Sequence, residues 1–163
     1  MSASEISETR QYLTFRLGDA IFATDVAKVR EVLDLTPITA IPRTPEFMAG
    51  VINLRGTVVP VVDFRLCFGM PKTESTRNTC IVVVEVLLDG ETTVIGALAD
   101  SVEEVVDLEP DQIEAAPRIG NRIRTEFIHG MGKRDAQFIV ILDIDRVFSA
   151  EQLEAIRTQE AVA

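Results

Sequence analysis

Four short hairpins that fall into two matching pairs constrain this chain more than any other feature. Apolar runs with period-2 alternation recur along it, broken by Gly-Asp and Asp-Gly steps. QYLTFRLGDAIFATDV reads as a hairpin about Gly18-Asp19, and TCIVVVEVLLDGETTVIGALADSV as another about Asp89-Gly90. FMAGVINLRGTVVPVVDFRLCF and FIHGMGKRDAQFIVILDIDRVF each read as one more. In the last two, Phe47, Gly50, Asp63 and Phe68 recur eighty residues on as Phe127, Gly130, Asp143 and Phe148. Upstream, DVAKVREVLDL with Pro42-Arg43 is echoed by DSVEEVVDLEPDQI with Pro117-Arg118. The pattern predicts one small β unit built twice, over about 10–77 and 78–148, with an approximate twofold between the copies. A lone unit of roughly 70 residues has a marginal core. Two packed together are stable, and the seam between them is expected to form a groove. The fold class is all-β with minor helix, because short strands separated by turns do not make βαβ units.

Within GVINLRGTVVPVVDF, Gly56 supplies the positive φ a tight turn needs. Pro60 cannot donate to a ladder, which predicts an edge strand or a bulge. The turn carries an arginine, Arg55, at the tip of an otherwise greasy hairpin, whereas the matching turn reads Lys133-Arg134-Asp135-Ala136. Helices are minor. Asp25 to Leu33 predicts a helical turn leading into a strand, and Thr44-Pro45-Glu46 predicts a single helical turn. Ser149 with Gln152 forms a capping box ahead of Leu153 and Ile156, predicting a C-terminal helix over 149–157. The tails, 1–9 and 158–163, are expected to be disordered.

The formal net charge of −10 is unevenly placed. Between Arg77 and Arg118 there is no Lys or Arg but ten carboxylates, so the rest of the chain balances at 16 against 16. Such a surface repels a phosphate backbone and an anionic bilayer alike, which argues against nucleic acid and against direct membrane insertion. No apolar run approaches the ~20 residues of a membrane span, and the polar start MSASEISETRQ lacks the features of a secretory signal. A cytoplasmic location is expected. Cys67 and Cys80 sit in apolar runs and read as buried reduced thiols.

Catalytic chemistry is not found. His129, the single histidine, takes the slot of Ala49 in the other copy and lacks a second ligand or base. Asp63 and Asp143 are repeat-equivalent and read as strand-ending residues, and Glu103-Glu104 reads as a solvated turn. Nucleophile elbows, phosphate loops and zinc-protease motifs are all absent from the sequence. The chain is read as a non-enzymatic binding protein with no cofactor and no metal.

YLTFRLGDAIFATDVAKVREVL, followed by ITAIPRTPEFMAGVINLRGTVVPVVDFRLCFG, resembles the CheW family of bacterial chemotaxis coupling proteins. The likeness runs through Asn78-Thr79, ALADSVEEVVDL and FIHGMG, about Gln11 to Phe148. It implies two intertwined SH3-like five-stranded β-barrels with strands exchanged and a hydrophobic core between them. It further implies an adaptor joining the cytoplasmic tips of chemoreceptors to the histidine kinase CheA, whose regulatory domain shares the fold. The residues it marks for receptor binding are Val29, Glu31, Gly50, Asn53, Arg55 and Val105; kinase-binding residues are not marked. Two other readings share the domain, a CheV-like adaptor with a receiver domain and a fragment of the kinase. A small-molecule sensor using the inter-barrel groove is the reading of a different class.

Overall fold

The computed structural model describes residues 9–68, 70–88, 90–115, 128–134 and 137–147. In chain order the strands are β1 Arg10–Leu17, β2 Ala20–Asp25, β3 Val29–Asp34, β4 Met48–Leu54, β5 Thr57–Asp63 and β6 Cys80–Leu88. They continue with β7 Glu91–Ala99, β8 Ser101–Leu108, β9 Ile113–Glu114, β10 Ile128–Arg134 and β11 Gln137–Leu142. Two four-residue helices, α1 Phe64–Cys67 and α2 Ile144–Val147, follow β5 and β11. The C-terminal helix expected over 149–157 and both tails, save Thr9, lie outside the described residues.

The strands make two mixed sheets, ordered β8-β1-β2-β11-β10-β9 (barrel 1) and β3-β6-β7-β5-β4 (barrel 2). The hairpins are exchanged. The first hairpin, β1–β2, pairs with strands from the second half of the chain, and β6–β7 pairs with β3 and β5 from the first half. The connections account for this. Only Asp100 separates β7 from β8, and one residue is too few for a hairpin turn, so β8 runs on into the other sheet. Between β2 and β3 a 3₁₀ turn, Val26–Lys28, does the same, capped by Asp25 accepting from the Ala27 N–H at 2.9 Å. Barrel 1 has six strands, not the five expected, because Ile113–Glu114 pairs with β10. Its counterpart in barrel 2 is the single bridge Thr39↔Val51.

Alternate residues of the exchanged strands enter different cores. Leu13, Phe15 and Leu17 of β1 meet Val82, Val84 and Val86 of β6 in a central cluster between the barrels. Tyr12 faces the interior of barrel 1, while Ile81 and Val83 face that of barrel 2. Both faces of these strands are therefore buried, and that is why CIVVVEVLL reads as a continuous apolar run rather than an alternating one. The seam expected to be a groove is the principal core. Four phenylalanines close it as a ring of contacts: Phe15–Phe22, Phe15–Phe64, Phe22–Phe68 and Phe64–Phe68, with centroids 5.5 to 6.1 Å apart.

Three local expectations are corrected. Pro60 lies in β5, an interior strand, not at an edge. Its neighbour across the ladder, Val51, turns both its N–H and C=O toward Thr39, each at 2.9 Å. No donor is thus required of Pro60 toward β4, and pairing of β5 with β7 begins only at Val61. Thr44-Pro45-Glu46 forms a single turn closed by the Met48 N–H on the Pro45 carbonyl, not a helical one. Glu103-Glu104 lies inside β8 at a bulge, not in a turn. Thr14 fills that bulge, its Oγ1 donating to the Glu104 carbonyl and accepting from the Glu104 N–H.

Each exchanged hairpin is latched to the opposite barrel by a carboxylate that accepts a backbone N–H. Asp100 takes the Gly18 N–H at 2.7 Å and a two-pronged contact from Arg65 of α1 at 2.5 and 2.9 Å. On the other side Asp145 of α2 takes the Leu87 N–H at 2.8 Å and Lys28 at 2.9 Å. The polarity is inverted: the helix brings the cation in one latch and the acid in the other. Hydrogen bonding from Arg65 holds the Asp100 carboxyl below its ordinary range, against the opposing effect of burial. A depressed carboxylate stabilises the fold above its unfolded pKa of about 3.9, and the contribution is lost as pH falls through the lower folded value. Asp100→Asn is therefore expected to lower the urea midpoint at pH 7, by a deficit that shrinks as pH falls below about 3.9. A deficit that does not change with pH would show that the charge does not matter.

Candidate functional site

Arg55 sits at the tip of the β4–β5 hairpin, where Leu54 pairs with Thr57 across a two-residue turn. Arg55 and Gly56 both have positive φ, 50° and 87°, the signature of a type I′ turn. Gly56 adopts that geometry freely, but an arginine there is uncommon. Asn53 helps to hold the turn, its Oδ1 accepting the Gly56 N–H at 2.7 Å.

The side chain of Arg55 crosses to Glu31 of β3. The two terminal guanidinium nitrogens each donate to one carboxylate oxygen, Nη1 to Oε2 and Nη2 to Oε1, both at 2.8 Å, a bidentate pair. β3 and β4 are the two edges of the barrel 2 sheet, so this pair joins its open ends at the surface. Glu31 is partly covered, while the Arg55 side chain remains 72% exposed. The hydrogen bond from Arg55 lowers the Glu31 carboxyl below the usual range, and the same contact raises the guanidinium. The arginine is thus neither an idle turn residue nor a free cation. It is a preorganised, solvent-facing group on a rigid hairpin.

The other residues marked for binding divide in their placement. Gly50 is buried, and a Cβ there would lie 2.2 Å from the Thr39 carbonyl oxygen. Gly130 occupies the matching position in β10, with Ile113 and the Glu114 carbonyl in place of Ile38 and Thr39. Both glycines let a crossing segment approach the hairpin, and both follow a bulge, at Ala49 and at His129. Phe47 packs partly buried against the central core, and Phe127 lies outside the described residues. Val29, half-buried at the start of β3, also packs on that core. Val105 is 48% exposed on β8, the edge strand of barrel 1, and so belongs to the other sheet.

Sequence reading missed Val32 and Thr39. Val32 pairs with Val82 just past the β3 bulge, as Val105 pairs with Leu13 just past the β8 bulge. The two valines are counterparts, both exposed. The sequence carries the same correspondence, because VREVLDL over 29–35 lines up with VEEVVDL over 102–108.

Among the residues considered for chemistry, Asp63 has a structural place. Asp63 caps α1 through the Arg65 N–H at 3.0 Å and anchors the following segment through the N–H and Oγ1 of Thr73 at 3.0 and 2.6 Å. Both cysteines are free. Burial pushes the Cys67 thiol up to about 12, with Asp63 adding to the shift, so a thiolate nucleophile is disfavoured there. Among the described residues no group of three or more His, Cys, Asp or Glu side chains could hold a metal. None of the described helices is long and apolar enough to cross a membrane.

Residues 11–152 match the family of CheW-like domains. The chain is 32% identical to the chemotaxis protein CheW of Klebsiella aerogenes over 144 residues, covering 88% of this chain and 84% of that one. It is 34% identical to the chemotaxis protein CheW of Rhizobium meliloti over 146 residues, covering 90% and 92%. The crystal structure of the scaffolding protein TtCheW from Thermoanaerobacter tengcongensis superposes with a TM-score of 0.78 at 33% identity, covering 89% of this chain and 91% of that chain. With two exchanged β-barrels, a shared core and a match over nearly its whole length, this chain belongs to the CheW family.

Proposed function

We propose that this protein is a chemotaxis scaffold that couples the cytoplasmic tips of methyl-accepting chemoreceptors to the histidine kinase CheA, at receptor arrays on the inner face of the membrane. The observation that carries the reading is the Glu31–Arg55 corner, a bidentate pair that fixes a largely exposed arginine side chain on a hairpin tip. Arginine in such a setting is a common interface anchor, because its planar fork engages carboxylates while its stem covers apolar surface. Val58, beside the tip on β5, is exposed and supplies apolar area to the same patch. The packed seam disfavours a small-molecule sensor, since the aromatic ring fills the space such a ligand would need.

The adaptor has no turnover of its own in this reading. Added to CheA together with receptor-containing membranes, it is expected to raise kinase autophosphorylation; added to CheA alone, it is expected to leave the rate unchanged. A rise without receptors, or none with them, would remove the coupling role.

A further inference from the structure

Among the described residues, four ion pairs join the first half of the chain, 10–77, to the second, 78–148: Arg16–Glu103, Arg30–Glu85, Lys28–Asp145 and Arg65–Asp100. In every one the first half brings the cation and the second half the acid. The sequence leans the same way, with nine Lys or Arg against seven Asp or Glu over 10–77, and six against fourteen over 78–148. The uneven charge of the chain is thus carried to the seam between its halves.

Pairing registers show that these pairs occupy equivalent places. Leu13 facing Val105 and Phe15 facing Val102 match Val82 facing Val32 and Val84 facing Val29. Arg16 is therefore the counterpart of Glu85, and Glu103 of Arg30. The two pairs are one contact made twice with its polarity reversed. Arg65 and Asp145 are counterparts as well, each two residues beyond Asp63 or Asp143, and Asp100 stands one position before the counterpart of Lys28. Suppose two copies of this chain paired like half with like half. Arg16 would then meet Arg30, Glu85 would meet Glu103, Arg65 would lie beside Lys28, and Asp145 beside Asp100. Four attractions would become four repulsions. Side-chain size points the same way. Phe15, Phe22 and Phe64, all buried, hold the places that Val84, Ile95 and Ile144 hold in the second half. Like halves would crowd two sets of phenylalanines into one core and leave voids in the other.

We propose that the seam carries a pairing code: its charges decide which half a given half accepts, so that each takes the unlike half and rejects a copy of itself. A fold built by exchanging hairpins between two similar halves is open to mispairing, because the hairpin of one chain can enter the equivalent sheet of another. The short links at Val26–Lys28 and Asp100 force the exchange without choosing the partner. The charges choose it, and the tether between the halves then favours the unlike half of the same chain. Each pair is partly exposed and weak by itself, but all four select in one direction. The code lies in the seam and not at the Glu31–Arg55 corner, so it stands or falls independently of the receptor reading.

Two full-length variants test the code, one with Arg16→Glu and Arg30→Glu, the other with Glu85→Lys and Glu103→Lys. Each places like charges at both strand contacts within its own chain, all acidic in the first variant and all basic in the second. Unfolded together in urea and refolded at equal concentration in low salt, they are expected to form a one-to-one dimer in which each half takes its partner from the other variant. Light scattering after gel filtration measures the mass. The dimer is expected at concentrations about a hundredfold below those at which the parent or either variant alone dimerises, and about 1 M salt is expected to abolish the preference. If a variant fails to fold alone, recovery of folded protein only from the mixture gives the same answer. A mixture that behaves as the sum of its two variants, or a variant that dimerises alone as readily as in the mixture, would overturn the proposal.

Discussion

Alanine at Gly50 is expected to cost about 3 kcal/mol or more of stability, whereas alanine at Gly56 in the same hairpin costs about 1 kcal/mol. Both glycines have positive φ, 147° and 87°, so both substitutions carry backbone strain. They differ in space. A Cβ at Gly56 meets nothing within 4 Å, but at Gly50 it lies 2.2 Å from the Thr39 oxygen and 2.8 Å from Ile38. Relief would require breaking the Thr39–Val51 bridge, with the loss of two backbone hydrogen bonds. Gly130 is expected to fall between the two, because its closest obstruction is the Ile113 side chain at 2.7 Å, with the Glu114 carbonyl at 3.0 Å. Against a total stability of about 5–15 kcal/mol, the Gly50 loss alone leaves a marginal fold. Urea unfolding of the three alanine variants checks the order, and equal losses at Gly50 and Gly56 would mean that the crossing segment yields freely. A Gly50 variant that loses receptor coupling would do so by damaging the hairpin, not by removing a contact.

Arg55→Ala has the opposite profile. The side chain is mostly in solvent and buries no core, so the melting temperature is expected to stay near that of the parent and kinase binding to persist. Receptor affinity is expected to fall roughly thirtyfold, the effect of truncating an interface arginine anchor. The turn geometry supplies a control. Arg55 has φ 50°, a conformation asparagine accepts more readily than alanine does, so Arg55→Asn separates strain from lost contact. Glu31→Ala removes the orienting partner but keeps the guanidinium. A smaller loss than for Arg55→Ala would identify Arg55 as the direct contact and Glu31 as the residue that positions it. Because Arg55 lowers the Glu31 carboxyl, the pair persists through neutral pH and is lost only as pH falls through that depressed value. Unfolding of Arg55→Ala, or unchanged receptor binding, would defeat the assignment.

Local chemistry determined much of this molecule. Alternation and turn residues are sufficient to place all four hairpins, because side-chain period and positive φ are properties of short segments. The same holds for the 3₁₀ turn after Asp25, where the interacting groups lie two residues apart, and for Asp63 as the end of a strand. Arg55 was legible as an exposed tip residue, but its meaning was not. Its partner lies 24 residues away on the far edge of a curled sheet. Tertiary structure alone decided which barrel each hairpin joined. Hairpin β1–β2 has the same internal hydrogen bonds in either barrel, and only the short links at Val26–Lys28 and Asp100 send it to the opposite half. The filled seam and the interior position of Pro60 followed from that exchange. Burial on both faces, and the direction in which Val51 turns its N–H and C=O, depend on neighbours brought together from distant parts of the chain.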